Sequence, residues 1–152
     1  MNLEELGLIG IFIAGAIPWM EAIAVVPTGV ILGLDPIATV IAAVLGNAIT
    51  IFMFAYLGST IRAKIVERRV AKGRSAESPK YEKALKAFDR YGIYGMAFLG
   101  PIIIGTQFAA AASVAAGVRP LRVSILITSS MILWASGIAA AMVVFDLSFK
   151  LI

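Results

Sequence analysis

Glu21 is the residue of this chain with the clearest capacity for chemistry, because it is the only charged side chain in residues 6–34. A carboxylate at membrane depth is costly unless it is paired, protonated or hydrated, and loss of water favours the protonated form. The chain has no histidine, so Glu21 is the natural candidate to exchange a proton or hold a cation. The alternative is a structural glutamate near the membrane surface, reaching water beside Trp19.

Helix-breaking residues next to neutral polar side chains form a second set of candidates. The N-terminus of a half-helix offers free backbone N–H groups and the positive end of the helix dipole, which can hold an anionic group. We expect one turn or unwound segment at Pro27-Thr28-Gly29 and another at Gly105-Thr106-Gln107, with Pro101 upstream of the second. The hydroxyl and amide side chains in these segments would then supply neutral hydrogen bonds.

Asn47 and Thr50 lie one helical turn apart on an uncharged segment. Polar residues in such a position can bind a ligand or tie neighbouring helices together, and both interpretations stay open. The predicted proton- or substrate-binding residues are Glu21, Pro27, Thr28, Gly29, Asn47, Pro101, Gly105, Thr106 and Gln107.

The segment that contains Glu21 has an unusual length. One span takes about 20 helical residues, and residues 6–34 are too many for one span and too few for two spans with a turn. Gly15, Pro18, Pro27 and Gly29 interrupt the segment, which predicts a re-entrant hairpin that returns to the same membrane side. Broken helices at this depth need protein or water to satisfy their backbone and are typical of transport sites. Residues 93–118 are the second candidate hairpin, although their length also allows one tilted span.

The composition predicts one all-α membrane domain over residues 1–152. The chain is 61% apolar and 14% charged, far more apolar than a soluble domain. Residues 36–58 and 123–145 carry no charge and are predicted transmembrane helices. The absence of Cys and His excludes disulfides, imidazole or thiolate metal sites and histidine relays. With no P-loop and no nucleophile–base pair, we expect neither an enzyme nor a cofactor or metal.

Residues 59–90 form a basic loop with ten of the thirteen basic residues and four of the nine acidic ones. Loops of this charge and length stay in the cytoplasm, so we assign the charges to topology and lipid headgroups rather than to nucleic acid. Ser78-Pro79 predicts the start of an interfacial helix with one apolar and one basic face. Gly73 is expected to end the preceding helix, and residues 73–77 form a linker.

The two halves of the chain resemble each other. Three glycines of the first half recur 85 positions later, and the motif of residues 33–36 (GLDP) recurs at 117–120 (GVRP). This predicts an internal repeat, with residues 1–58 as the first unit and residues 91–152 as the second. The matched glycines are Gly7, Gly10 and Gly15 with Gly92, Gly95 and Gly100.

Two hairpins would make these repeats inverted. Residues 36–58 would cross inward and 123–145 outward, leaving Arg119 and Arg122 in the cytoplasm and Asp35, Asp146 and both termini outside. The rival arrangement has four full spans and places both arginines outside. Hairpins half-embedded in lipid would expose backbone ends, so we expect a homodimer that shields them.

These motifs carry a family resemblance. The run EAIAVVPTG at residues 21–29, the following GLDP and Gly46-Asn47, and GPIIIGT at residues 100–106 resemble the small multidrug export protein family over essentially the whole chain. That family is similar to the DedA and VTT superfamily, which implies paired re-entrant hairpins as inverted repeats. Members there are linked to lipid-carrier flipping, scrambling and proton-dependent transport. Residues 98–107 lack the arginines of that group's second motif.

The leading functional hypothesis is a small secondary transporter in the cell membrane. It would export a small amphiphilic or lipid-like substrate, alternate access around a midplane site and couple transport to protonation of Glu21. We expect Glu21 to face Thr106 or Gln107. The first alternative is a lipid-carrier flippase or scramblase of DedA type, favoured by the hairpin N-termini and the basic interfacial helix. The second alternative is a membrane scaffold in which Glu21 is structural.

Overall fold

The computed structural model describes residues 3–76 and 78–150. These residues form six α-helices with no strand among them, which confirms the predicted all-α class. The predictions for the chain ends, for Glu77 and for the side chain of Asp146 lie outside the part described. In chain order the helices are α1 (Leu3–Gly15), α2 (Ala22–Ile31), α3 (Pro36–Ala71), α4 (Pro79–Ile103), α5 (Thr106–Ala115) and α6 (Pro120–Lys150).

Within the described residues, α3 and α6 each contain a stretch long and apolar enough to cross a membrane. These stretches are Pro36–Thr60, with a mean hydropathy of 2.2, and Pro120–Phe145, with 1.8. They contain both predicted transmembrane helices. Beyond its apolar part, α3 continues to Ala71, and Gly73 follows with φ 67° and donates its N–H to the Val70 carbonyl at 2.9 Å. This is the predicted helix end.

The first apolar segment is a helix–break–helix, and its break is not where the sequence predicted it. Pro27, Thr28 and Gly29 lie inside α2, whereas the chain turns over residues 16–21, with Trp19 at φ 81°. The prediction of a turn at Pro27-Thr28-Gly29 is therefore wrong. A proline inside a helix removes one N–H donor and crowds the preceding turn, and α2 accommodates this locally. The helices α1 and α2 contact each other on either side of the break.

The second apolar segment breaks at two points. Gly92 has a non-helical backbone (φ 62°, ψ −169°) and kinks α4 between its basic first half and its apolar second half. Residues 104–105 then separate α4 from α5, with Gly105 at φ 101°. At the start of α4, the Ser78 hydroxyl accepts a hydrogen bond from the Tyr81 N–H at 3.2 Å, as the predicted N-cap requires.

Local structure repeats along the chain. The helices α2 and α5 each have ten residues, and their first residues are 84 positions apart, as are Pro36 and Pro120 at the starts of α3 and α6. Gly33 and Gly117 follow the short helices at φ 79° and 94°. Each donates its N–H to the carbonyl three residues earlier, at 3.0 and 2.9 Å. Both short helices therefore end in the same left-handed glycine turn.

The packing divides the chain into two compact units, Met1–Thr50 with Thr128–Ile152 and Ile51–Ile127. The first unit contains α1, α2, the start of α3 and most of α6, around buried side chains that include Ile11, Val26 and Met131. The second contains the rest of α3, α4, α5 and the start of α6. In it α4 and α5 pack together, and Met96 is among its buried side chains.

Candidate functional site at the helix breaks

Glu21 stands at the end of the first break, as the N-cap residue of α2. Its backbone is extended (φ −85°, ψ 150°), and its carbonyl accepts hydrogen bonds from Ala24 and Val25 at 2.9 and 3.0 Å. The residue is only 8% exposed. The N-terminal end of α2 carries the positive end of the helix dipole, which stabilises a negative charge. The fold therefore places the one carboxylate of residues 6–34 in a buried position beside a helix N-terminus.

Close contact between α1 and α3 positions the break. A β-carbon added to Gly46 would collide with the Phe12 carbonyl oxygen and lie 2.9 Å from the Ala16 nitrogen. A β-carbon on Gly15 would lie 2.5 Å from the carbonyl oxygen of Ala43. The end of α1 thus packs directly on the backbone of α3, one residue before Asn47. The chain enters the break at Ala16 beside this part of α3.

Asn47, which follows Gly46 on α3, is a fully buried polar residue. The Thr50 hydroxyl donates to the Asn47 carbonyl at 2.8 Å and lies 3.4 Å from its Oδ1. The Nδ2 atom of Asn47 has no hydrogen-bond partner among the described residues. An unsatisfied buried amide costs roughly 1–3 kcal/mol, so this donor is available to a water molecule or a ligand.

The three predicted residues Pro27, Thr28 and Gly29 serve different purposes within α2. Gly29 is buried against α3, where an added β-carbon would collide with the Thr39 methyl group and lie 3.1 Å from Ile11 Cδ1. Thr28 is exposed and Pro27 is half-buried. In this group, Gly29 is therefore the residue that the close packing of α2 requires.

The second predicted group lies in the other compact unit, at the start of α5. Gly105 is the N-cap residue, and Thr106 and Gln107 are the first two residues of the helix, 0% and 1% exposed. Pro101 is buried in the last turn of α4, and the N–H of Gly105 bonds back to the Gly100 carbonyl at 2.9 Å. Gly105 is non-helical as predicted, whereas Thr106 and Gln107, which were predicted as part of the same turn or unwound segment, are helical. The result is a helix N-terminus with two buried neutral polar side chains.

The repeat sets Glu21 and Gly105 at equivalent positions. They are 84 residues apart, and each is the N-cap of a ten-residue helix. The first repeat has a carboxylate there and the second has no side chain.

Sequence reasoning missed three buried hydroxyl groups. Thr39, Ser113 and Ser124 are fully buried, and their oxygen atoms have no hydrogen-bond partner among the described residues. Ser113 stands 84 positions after Gly29, so a residue-by-residue comparison of the repeats would have singled it out. Thr39 is recognisable only from its contact with Gly29. Across the described residues, no group of three or more acidic, His or Cys side chains could hold a metal ion.

The fold and the site define a class. Two apolar helices of spanning length in an all-helical chain, with polar groups buried at helix breaks, are typical of a membrane protein. The family model described as "Putative small multi-drug export protein" matches residues 21–137, from Glu21 into α6. The chain therefore belongs to this family, which confirms that part of the sequence resemblance. No curated protein and no solved structure matches the chain.

Proposed function

We propose that the protein is a small secondary exporter that couples the movement of a small amphiphilic or lipid-like substrate to protons through Glu21. The buried position of Glu21 at the N-cap of α2 is the observation that carries this proposal. Membership of a family described as small multi-drug export proteins supports export. The chain offers no histidine, so a carboxylate would have to exchange the proton.

The proposal includes the predicted membrane arrangement, with two re-entrant hairpins as inverted repeats. Helix lengths support it. At 1.5 Å per residue, the thirteen residues of α1 and the ten of α2 measure about 20 and 15 Å, short of the ~30 Å hydrocarbon core. The ten residues of α5 are equally short. In this arrangement the chain is multi-pass, residues 59–90 face the cytoplasm, and a homodimer shields the hairpins. A relation to the DedA and VTT superfamily stays a prediction.

The neutral polar groups would bind the substrate while Glu21 carries the proton. In the first unit, the unpartnered Nδ2 of Asn47 would donate to the substrate. Thr106 and Gln107, at the N-terminus of α5, are the neutral candidates of the second unit. These groups are uncharged, which suits an amphiphilic molecule that must enter and leave. Protonation of Glu21 would remove the one acidic charge of residues 6–34 and so change the affinity for a cationic or polar end of the substrate.

Proteoliposome flux tests the role of Glu21. Ethidium serves as the amphiphilic probe, and its movement is followed by fluorescence under an imposed pH gradient. We expect gradient-driven flux in the wild type and its loss in Glu21→Gln, because Gln matches the protonated acid in shape but cannot exchange a proton. Glu67→Gln is the matched control, since Glu67 is exposed on the distal part of α3. Equal gradient-driven flux in wild type and Glu21→Gln would remove Glu21 from the mechanism.

Cysteine labelling tests the arrangement in this Cys-free chain. Ser75 and Arg119 are both exposed, and the two-hairpin arrangement puts both in the cytoplasm. A membrane-impermeant maleimide added outside should leave cysteines at these positions unlabelled until the membrane is opened. A cysteine at the exposed Asp35 should react from outside and serves as the positive control. Strong outside labelling at position 119 would favour four full spans.

A lipid-carrier flippase is the second candidate, and the first half of α4 favours it. Lys80, Lys83 and Lys86 are exposed there, whereas Tyr81 and Ala84 are buried, before the kink at Gly92. Because Tyr81 and Ala84 are buried within the protein, the exposed lysines are the part of this helix that would contact anionic headgroups at a membrane surface. Movement of a fluorescent phospholipid between leaflets without a pH gradient would favour the flippase. Reconstituted protein that moves neither probe would favour the scaffold.

A further inference from the structure

A groove beside the start of α6 combines positive charge with apolar surface. It has a volume of about 710 Å³ and belongs wholly to the Ile51–Ile127 unit. Both of its arginines are exposed, and no carboxylate is among its lining residues. Leu121 and Ile125 continue the surface away from the charges, 54% and 53% exposed. The groove is lined by Gly117, Val118, Arg119, Leu121, Arg122, Ile125 and Leu126.

Arg122 is held in place by a side chain of α4. One of its terminal nitrogens donates to the Tyr94 hydroxyl at 2.9 Å, and its guanidinium lies 5.8 Å from the centre of the Tyr94 ring. A guanidinium has five N–H donors in a rigid fork, so this bond orients the group and leaves other donors for an anion. An arginine oriented in this way binds phosphate with little further loss of freedom.

The internal repeat shows what is unusual at this helix start. In the first repeat, Asp35 precedes the proline of α3, and its Oδ1 accepts the N–H of Ala38 at 2.8 Å. The equivalent residue before the proline of α6 is Arg119, which has no acceptor to offer. The first N–H groups of a helix have no partner within the helix. In α6, arginines instead of a carboxylate occupy the position before the proline and the second position after it, and the helix dipole adds positive potential.

We propose that this groove binds the phosphate group of an anionic membrane lipid. Arg119, Arg122 and the N-terminus of α6 would hold the phosphate, and the acyl chains would lie along Leu121 and Ile125. Arginine forks match phosphate oxygens, and basic pockets beside apolar helices suit charged lipid headgroups. A free phosphate ion would need the charges but not the adjoining apolar surface, which favours the lipid. The site is separate from Glu21 and does not depend on which substrate is exported.

Binding of an acyl-labelled phosphatidylglycerol to the purified protein in detergent tests the proposal by fluorescence anisotropy. Arg119→Gln with Arg122→Gln should weaken binding about tenfold or more, because two charge-assisted contacts are lost. The matched control is Lys72→Gln with Arg74→Gln, which removes the same charge at two exposed positions. The control should bind within about twofold of wild type. Wild-type affinity in the Arg119 and Arg122 variant, or an equal loss in the control, would overturn the proposal.

Arg119→Asp separates loss of the site from loss of the fold. It introduces at position 119 the N-cap carboxylate found in the first repeat, so the variant should elute like the wild type and melt at or slightly above its temperature while binding the lipid more weakly. A folded Arg119→Asp protein with wild-type binding would contradict the assignment. Competition distinguishes the sources of phosphate: unlabelled phosphatidylglycerol should displace the probe, and inorganic phosphate at equal concentration should not. Displacement by inorganic phosphate as effective as that by lipid would assign the groove to a soluble anion and overturn the lipid.

Discussion

Gly46→Ala should destabilise the protein by separating α1 from α3. The added β-carbon would collide with the Phe12 carbonyl oxygen and lie 2.9 Å from the Ala16 nitrogen and 3.1 Å from the Gly15 carbonyl carbon. These are backbone atoms, which cannot rotate away as a side chain can. Ordinary carbon contacts are about 3.5–4.0 Å, so α1 must move by about 1 Å or more.

The size of the effect follows from two opposing contributions. Overpacking of a close contact costs about 1–3 kcal/mol, and contact with three backbone atoms places this substitution near the upper value. Alanine in a helix is more favourable than glycine by about 1 kcal/mol. The net loss in the free energy of unfolding is therefore about 2 kcal/mol, which lowers the melting temperature by about 4–8 °C for a chain of this length.

Thermal unfolding of the purified protein in detergent, followed by circular dichroism, measures this loss. Gly10→Ala is the matched control. Gly10 lies in α1, the helix that Gly46 contacts, and its added β-carbon would meet no atom within 4 Å. The control should melt at or slightly above the wild-type temperature. A Gly46→Ala protein that melts at or above wild type would refute the close packing of α1 on α3, and with it the position of the break beside Asn47.

Further substitutions test the other contacts. Gly29→Ala should lower the melting temperature, and adding Thr39→Ser should recover part of the loss, because the colliding atom is the Thr39 methyl group; no recovery would contradict that contact. Asp35→Ala should cost about 1 kcal/mol through the lost N-cap, measured by the same unfolding, and an unchanged stability would count against the cap. Gly117→Ala should destabilise the protein by about 1 kcal/mol or more, since Gly117 has φ 94°. Gly137→Ala should stabilise it, because the added β-carbon would meet no atom within 4 Å. A Gly117→Ala protein more stable than Gly137→Ala would contradict the glycine turn.

The sequence alone determined the features that depend on a few neighbouring residues. Ser78-Pro79 marked the start of α4 because an N-cap hydroxyl and a first-turn proline act within one helical turn. Gly73 marked the end of α3, and Gly105 marked the break before α5, because both adopt positive φ values that glycine accommodates. The two uncharged stretches predicted α3 and α6, since span length is a property of composition. The spacing of the repeat was also readable, because matched glycine and proline positions are a property of the sequence itself.

Tertiary structure decided which of the helix-breaking residues interrupt a helix. Pro27 lies inside α2, whereas the chain turns at residues 16–21, which contain Pro18. Local preference alone does not distinguish Pro18 from Pro27, because proline disfavours the helix interior at either position. The need for Gly29 depends on Thr39, ten residues away, and the need for Gly46 depends on the backbone of α1. The burial of the unpartnered Asn47 amide and the bond from Arg122 to Tyr94, 28 residues apart, likewise arise only when distant segments pack. A sequence does not state which polar groups its own fold leaves unsatisfied.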